Sequence, residues 1–214
     1  WDDAGKTVLK PAGKDSVLIV DLANPEKPKI VATLPLDNSV IGPPVNVDID
    51  PTGSVALVSD SVDVAKDEAK GGDALKINLD NKIYVIDLKA KPAKLAATIT
   101  GGKQPSGLSF SPDGKMALVA NRGDNSISVL SVNGTDVKVT DTIAMGDSVA
   151  HVTFAPDGKH AYAVKFTTHK LSVLDIANGK VTYNKLDLAA GLWPYNVAVT
   201  PNGQLAMTAD NGNA

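Results

Sequence analysis

One turn motif recurs four times along this chain, and its spacing constrains the fold more tightly than any other feature. It occurs as Pro44-Val-Asn-Val-Asp-Ile-Asp-Pro-Thr-Gly53, Pro105-Ser-Gly-Leu-Ser-Phe-Ser-Pro-Asp-Gly114, Val149-Ala-His-Val-Thr-Phe-Ala-Pro-Asp-Gly158 and Pro194-Tyr-Asn-Val-Ala-Val-Thr-Pro-Asn-Gly203. The turn prolines Pro51, Pro112, Pro156 and Pro201 stand 61, 44 and 45 residues apart. A second register agrees: Asp21, Asp87, Ser131 and Asp175 are separated by 66, 44 and 44 residues. Both give a period of about 44 residues, with one insertion of roughly 20 in the second unit. A period sustained in this way belongs to repeat architectures.

Each unit reads as four strands. Val47/Ile49, Leu108/Phe110, Val152/Phe154 and Val197/Val199 alternate apolar with polar neighbours at period two. Proline presets φ in the turn that follows, and the glycine accepts a positive φ. Second strands are expected at Ser54–Ser59, Lys115–Ala120, Lys159–Val164 and Gln204–Ala209, each with an alanine three positions past the turn glycine. Third strands fall at Ser16–Leu22, Lys82–Leu88, Ser126–Val132 and Lys170–Ile176, and fourth strands at Lys29–Leu34, Leu95–Thr100, Val137–Ile143 and Val181–Leu186. Four antiparallel strands per period make the blade of an all-β propeller. A β-sandwich explains the alternation but not the period.

Two stretches carry a family resemblance. Phe110-Ser-Pro-Asp-Gly-Lys-Met-Ala-Leu-Val-Ala-Asn121 with Asn125-Ser-Ile-Ser-Val-Leu130 resembles the YVTN-type β-propeller repeat. Phe154-Ala-Pro-Asp-Gly-Lys-His-Ala-Tyr-Ala-Val164 with Leu171-Ser-Val-Leu-Asp-Ile176 resembles it equally. The wider group takes in bacterial and archaeal surface-layer and exported propellers, 6-phosphogluconolactonase-like propellers and the propellers of quinoprotein and haem-d1 enzymes. The resemblance implies rings of about seven blades, or roughly 300 residues at this period. The repeat phase divides the chain into a partial blade at 1–43, blades at 44–103 (insertion 61–80), 104–148 and 149–192, and a partial blade at 193–214. Asp3–Leu9 aligns with a second strand. We therefore expect about four blade-lengths of a larger ring, with missing blades or a partner chain closing it.

Loops joining fourth to first strands and second to third strands share one face of a propeller, at the channel mouth, with the Pro-x-Gly turns opposite. That face is the expected ligand site, because binding residues favour loops on a rigid scaffold. Asn121 and Arg122 lie in Asn121-Arg-Gly-Asp124, where Arg122 can grip a carboxylate or phosphate or else pair with Asp124. His151 and Asn196 begin innermost strands. His151 can serve as metal ligand or general base, or simply bond to loop backbone. His160 lies at the opposite end of its blade, and His169 is about 10 Å away, two strand spacings off. Lys165 adds a positive charge, and Trp193 and Tyr195 offer a stacking platform or a rim cover. The insertion carries Asp63, Asp67, Glu68, Asp73 and Asp80 and reads as a mobile acidic flap with Gly71-Gly72 as hinge. Calcium there is left open, since the spacing matches no EF-hand.

Composition narrows the function. There is no cysteine, which excludes disulfide frameworks, thiol catalysis, cysteine zinc sites and covalent haem attachment for this stretch. The net charge is -3, from 21 basic and 24 acidic residues, without basic blocks, so nucleic acid is not an expected partner. No apolar run reaches the roughly 18 residues of a membrane helix. Catalytic motifs, a metal set and a cofactor fingerprint are not found. The expected function is a non-catalytic, exported (periplasmic or secreted) propeller that binds a protein or small-molecule ligand at its mouth. The alternatives are a lactonase-like hydrolase, or a periplasmic oxidoreductase subunit whose redox group lies outside this segment.

Overall fold

The computed structural model describes residues 3–4, 8, 15–37, 45–72 and 74–212. Their regular structure is entirely β. In chain order the strands are β1 (Val17–Asp21), β2 (Lys29–Leu34), β3 (Val47–Ile49), β4 (Val55–Lys66), β5 (Leu75–Asp87), β6 (Lys94–Thr100), β7 (Pro105–Phe110) and β8 (Met116–Asn121). They continue as β9 (Ser126–Asn133), β10 (Asp136–Ala144), β11 (Val149–Phe154), β12 (His160–Lys165), β13 (Lys170–Ala177), β14 (Lys180–Ala189), β15 (Pro194–Val199) and β16 (Ala206–Asp210). Three four-stranded antiparallel sheets form in sequence order, β3–β6, β7–β10 and β11–β14, flanked by the pairs β1–β2 and β15–β16. This is a fan of propeller blades. The strand expected within Asp3–Leu9 falls mostly outside the described residues.

Period two explains why the blades stack. Along β8, Ala117 and Val119 join Val55, Leu57, Ile83 and Val85 of the preceding blade in one core. Leu118 and Ala120, pointing the other way, join Val152, Phe154, Ala161 and Leu174 of the following blade in another. Residues 117–120 are all 0% exposed, because each successive side chain meets a different neighbour. Repeated alanines serve that fit: Ala56, Ala117 and Ala161 are buried at the blade interfaces. Ala206, in the last pair, is exposed.

The innermost strands β3, β7, β11 and β15 are stitched to one another by side chains. Phe110 N donates to Asp48 Oδ2 at 2.9 Å, Phe154 N to Ser109 Oγ at 3.4 Å, and Val197 N to His151 Nδ1 at 3.4 Å. These bonds give partners to backbone groups that face the axis instead of another strand. Gly107 lies directly against His151.

The insertion differs from the expected flap. β4 and β5 continue through it as one antiparallel hairpin, pairing Val62 with Leu79, Val64 with Ile77 and Lys66 with Leu75. A turn with Gly71 N and Lys70 N bonded to Asp67 O closes it. The alternating Val62/Val64 and Leu75/Ile77/Leu79 supply one apolar face, which outweighs the scattered acids as a determinant of local structure.

A β-carbon at Gly107 would lie 2.2 Å from His151 Cδ2 and 2.8 Å from His151 Cα, the second of these a backbone atom that cannot step aside. We expect Gly107→Ala to destabilise the fold by about 2–3 kcal/mol in urea unfolding, as overpacking does. An unchanged midpoint would mean that the inner strands separate freely.

Candidate functional site

The mouth is built from paired loops. Arg122 N donates to Gln104 O at 3.0 Å, Phe166 N to Ser148 O at 2.8 Å, and Asn211 N to Trp193 O at 3.0 Å, one equivalent bond in each of three blades. Asp147 adds a second tie, its Oδ2 accepting from Thr168 N and Thr168 Oγ1 at 2.8 and 2.6 Å. The loops therefore form a braced rim.

Four positions past each repeated alanine stand Asp60, Asn121, Lys165 and Asp210, all polar and all at the mouth end of the second strand. Asn121 is 0% exposed, and its Nδ2 donates to Ser126 Oγ and Ser128 Oγ at 3.0 and 2.9 Å. Lys165 folds back into its own blade. Its Nζ donates to Tyr183 Oη at 2.5 Å and to Asp187 Oδ2 at 3.2 Å, while Tyr183 Oη and Ser172 Oγ each donate to Asp187 Oδ1 at 2.7 Å. Burial alone would lower the Lys165 pKa, but the bonds to Tyr183 and Asp187 win and raise it. Burial likewise opposes ionisation of Asp187, and the bonds from Tyr183, Ser172 and Lys165 hold its pKa below the ordinary value. The result is a closed charge pair. Tyr183 and Asp187 lie on β14, 18 and 22 residues from Lys165, so no local spacing announced them.

His151 is 5% exposed, and burial pushes its pKa down to about 4. Its Nδ1 accepts from Val197 N, which leaves the proton on Nε2, a buried donor without a protein partner. An imidazole that protonates only near pH 4 is a poor proton acceptor at neutral pH. Asn196 Oδ1 is occupied by Val197 N at 2.7 Å. Among the described residues no three His, Cys, Asp or Glu side chains are grouped to hold a metal ion.

Arg122 behaves differently. It is the only arginine in the sequence. Its guanidinium carbon sits 5.0 Å from the Phe166 ring centroid and 5.4 Å from that of Tyr195, and the two rings meet edge to face at 5.9 Å. Three blades thus supply one cation and two aromatic faces, an arrangement that favours a guanidinium over an ammonium. Nη1 approaches Tyr195 Oη at 3.5 Å, and Nε is buried without a protein acceptor. Asp124, the alternative partner, is engaged elsewhere: its Oδ2 accepts from Lys103 N at 2.6 Å. Among the described residues Arg122 pairs with no carboxylate. Nearby, Trp193 N donates to His169 Nδ1 at 3.0 Å, their rings 6.1 Å apart, and the Trp193 ring remains 46% exposed. So the structure gathers Arg122, Tyr195 and Phe166, with Trp193 braced by His169 on the same rim, while Asn121, His151, Lys165 and Asn196 are held internally. Phe166 is the contributor that sequence reading missed. Its place one residue past Lys165, matching Arg122 after Asn121, was the available signal.

The opposite face also holds a cavity. A groove of about 660 Å³ opens there between β8–β10 and the next blade, with Met116, Leu130, Phe154 and Ile176 in its lining and Asp113 and Asp157 among its polar groups.

Two buried groups make stability depend on pH with opposite signs. Asp60 is 1% exposed; burial, then the nearby Asp80, raises its pKa to about 6. For His151, the unfolded chain takes up a proton near pH 6.5 and the folded protein only near 4, so stability falls as pH drops through that window. For Asp60, the folded protein binds the proton near 6 and the unfolded chain near 4, so stability rises as pH drops. In urea titrations from pH 7.5 to 4, His151→Asn should abolish an acid loss of about 3 kcal/mol. Asp60→Asn should deepen the acid loss. Parallel curves for the variants and the parent would refute both assignments.

Comparison with known proteins fits this architecture. Residues 3–134 match the family model of the choice-of-anchor I domain. A search of curated protein sequences finds no match. Among solved structures, a protein from Lactobacillus plantarum superposes with a TM-score of 0.69 at 16% identity, covering 92% of this chain and 58% of that one. The periplasmic gluconolactonase PpgL of Pseudomonas aeruginosa gives 0.65 at 17%, covering 91% and 56%. The dihydro-heme d1 dehydrogenase NirN, in complex with DHE, gives 0.61 at 19%, covering 86% and 35%. This chain thus spans little more than half of the first two and about a third of the last, and at these identities the likeness is one of fold. With well over half of its length matched by one family model, the chain belongs to the choice-of-anchor I domain family.

Proposed function

We propose that this chain is a non-catalytic, exported propeller module that binds an anionic ligand at its braced mouth through Arg122. The observation that carries the reading is a lone guanidinium, backed by Phe166 and Tyr195 and, among the described residues, without a carboxylate partner. Such a group presents planar donors to a carboxylate or phosphate, and Trp193 adds an exposed aromatic surface on the same rim. Support for export comes from the family match and from the likeness to a periplasmic propeller. Among the described residues no helix is long and apolar enough to cross a membrane. The finer kinship to YVTN-type repeats rests on the Phe110–Asn121 and Phe154–Val164 motifs. Leu205, just before β16, and Met207 on it, each 66% exposed, are surfaces that further blades or a partner chain would cover.

The lactonase alternative draws on the gluconolactonase likeness, which carries fold alone. It needs several free basic groups converging on the mouth, and Lys165 is held by Asp187. The oxidoreductase alternative requires a redox group supplied from outside this stretch.

Calorimetric titration with citrate, gluconate and inorganic phosphate tests the proposal. At least one anion should bind, and Arg122→Gln should weaken it tenfold or more, about 1.4 kcal/mol. Equal binding by the variant would sink the assignment. Hydrolysis of gluconolactone above the buffer rate would replace it with the lactonase reading.

A further inference from the structure

The hairpin arm of β4 and β5 projects past its own blade. β6 follows β5 only as far as the pair Lys82–Thr100. From there the next loop takes over the edge, Gly101 N donating to Asn81 O at 2.8 Å and Gln104 N to Asp80 O at 2.7 Å. Beyond that point, among the described residues, the outer edge of Leu75–Leu79 pairs with no strand. An open edge is a template for another strand, and proteins usually blunt one with a proline, a bulge or an inward-facing charge. The bulge here lies on β5 at Asp80–Asn81, opposite Ser61 and below the arm, and Leu75–Leu79 beyond it pairs with β4 in regular register. On the apolar face of Leu75–Leu79, Ile77 and Leu79 are 42% and 51% exposed.

Two lysines flank this edge, while Asp80 at its root is taken by Lys82. Leu79 Cδ1 and Lys103 Cβ would each lie 3.1 Å from a β-carbon placed on Gly123, so the two side chains are neighbours over a residue that has to be small. Lys76 projects from the other face of the same strand. Neither ammonium group pairs with a carboxylate among the described residues, since Asp124 takes the Lys103 backbone N–H. The segment spans five residues, about 17 Å of strand.

We propose that Leu75–Leu79 is a docking edge for an extended, acidic polypeptide segment of a partner protein, which adds to β5 as a further strand. Backbone bonds along the edge supply affinity, Ile77 and Leu79 take alternate apolar side chains, and Lys76 and Lys103 select acidic neighbours. The site is separate from the anion position, because the Arg122 guanidinium turns toward Phe166 and Tyr195.

The probe is a fluorescein-labelled peptide of alternating Glu and Val, eight residues long, titrated by anisotropy against the purified chain. It should bind, and slow hydrogen exchange at Leu75–Leu79. N-methylation of alternate peptide nitrogens should weaken it at least tenfold, as should Lys103→Glu with Lys76→Glu. Ile77→Lys with Leu79→Lys alters only exposed side chains and should abolish binding while thermal unfolding stays unchanged. Arg122→Gln should leave the peptide affinity within twofold, which separates failure of this proposal from failure of the anion site. Absence of binding, equal binding by the N-methylated peptide, or unchanged exchange would overturn it. So would concentration-dependent self-association that blocks the peptide, which would assign the edge to a second copy of the chain.

Discussion

Everything in this molecule depends on adjacent blades burying both faces of each sheet. A lone four-stranded sheet of this composition would expose half its apolar side chains, and among the described residues no helix layer covers them. Here the neighbour in the fan does so, with Leu118 and Val119 of one strand buried against different blades. The demand is geometric as well as hydrophobic. Inner strands must approach until Gly107 meets His151, and interface positions of the second strand must be as small as Ala117 and Ala161. Where a neighbour is present on one side only, as at β15–β16, the same positions are exposed, Leu205 and Met207 among them.

That packing also fixes what the mouth can offer. Loops from one blade are bonded to loops joining it to the blade before, so the rim is set by the same stack as the core. The buried polar residues Asn121 and Lys165 that end second strands sit under those loops, where desolvation favours partners within the blade. Asn121 finds Ser126 and Ser128, and Lys165 finds Tyr183 and Asp187. Residues one step further out, such as Arg122 and Phe166, reach across blade boundaries. The candidate site is therefore a product of three adjacent blades and would vanish in any one of them alone.

Much of this was legible in the sequence. The Pro-x-Gly turns and the alternating segments located the strands to within about two residues at most ends: the second strand expected at Lys115–Ala120 runs from Met116 to Asn121, and the fourth at Leu95–Thr100 from Lys94 to Thr100. These features are local, and local chemistry specifies them. The insertion was misjudged because its acids were weighed above its apolar alternation. Lys165 looked free because its neutralising carboxylate lies 22 residues away, on a strand whose register only the folded sheet defines. The Arg122 environment was partly visible through Tyr195, but Phe166 joins it only once two blades are placed side by side.

Net charge was the least informative property for the site, and the reason is physical. The chain is acidic by three charges. Yet many of its carboxylates have their lone pairs taken by backbone donors: Asp50 by Ser54 and Val55, Asp113 by Lys115, Asp157 by Lys159 and His160, Asp124 by Lys103. Such bonds lock the turns and loops; against burial, they join the side chains of Thr52 and His160 in holding the pKa values of Asp50 and Asp157 below the ordinary value, and for Asp113 the Ser111 hydroxyl leads with Lys115 N beside it. They also leave those oxygens less available to the long basic side chains. A repeat fold with an acidic residue in turn after turn thus consumes acceptors in its own scaffold, and some cations, Arg122 and Lys103 among them, pair with no carboxylate among the described residues. The protein as a whole is negative, but the donors still open to a ligand at the mouth are cationic. Arg122 and Lys103 owe their freedom in part to Asp124, whose carboxylate is spent on the Lys103 backbone N–H.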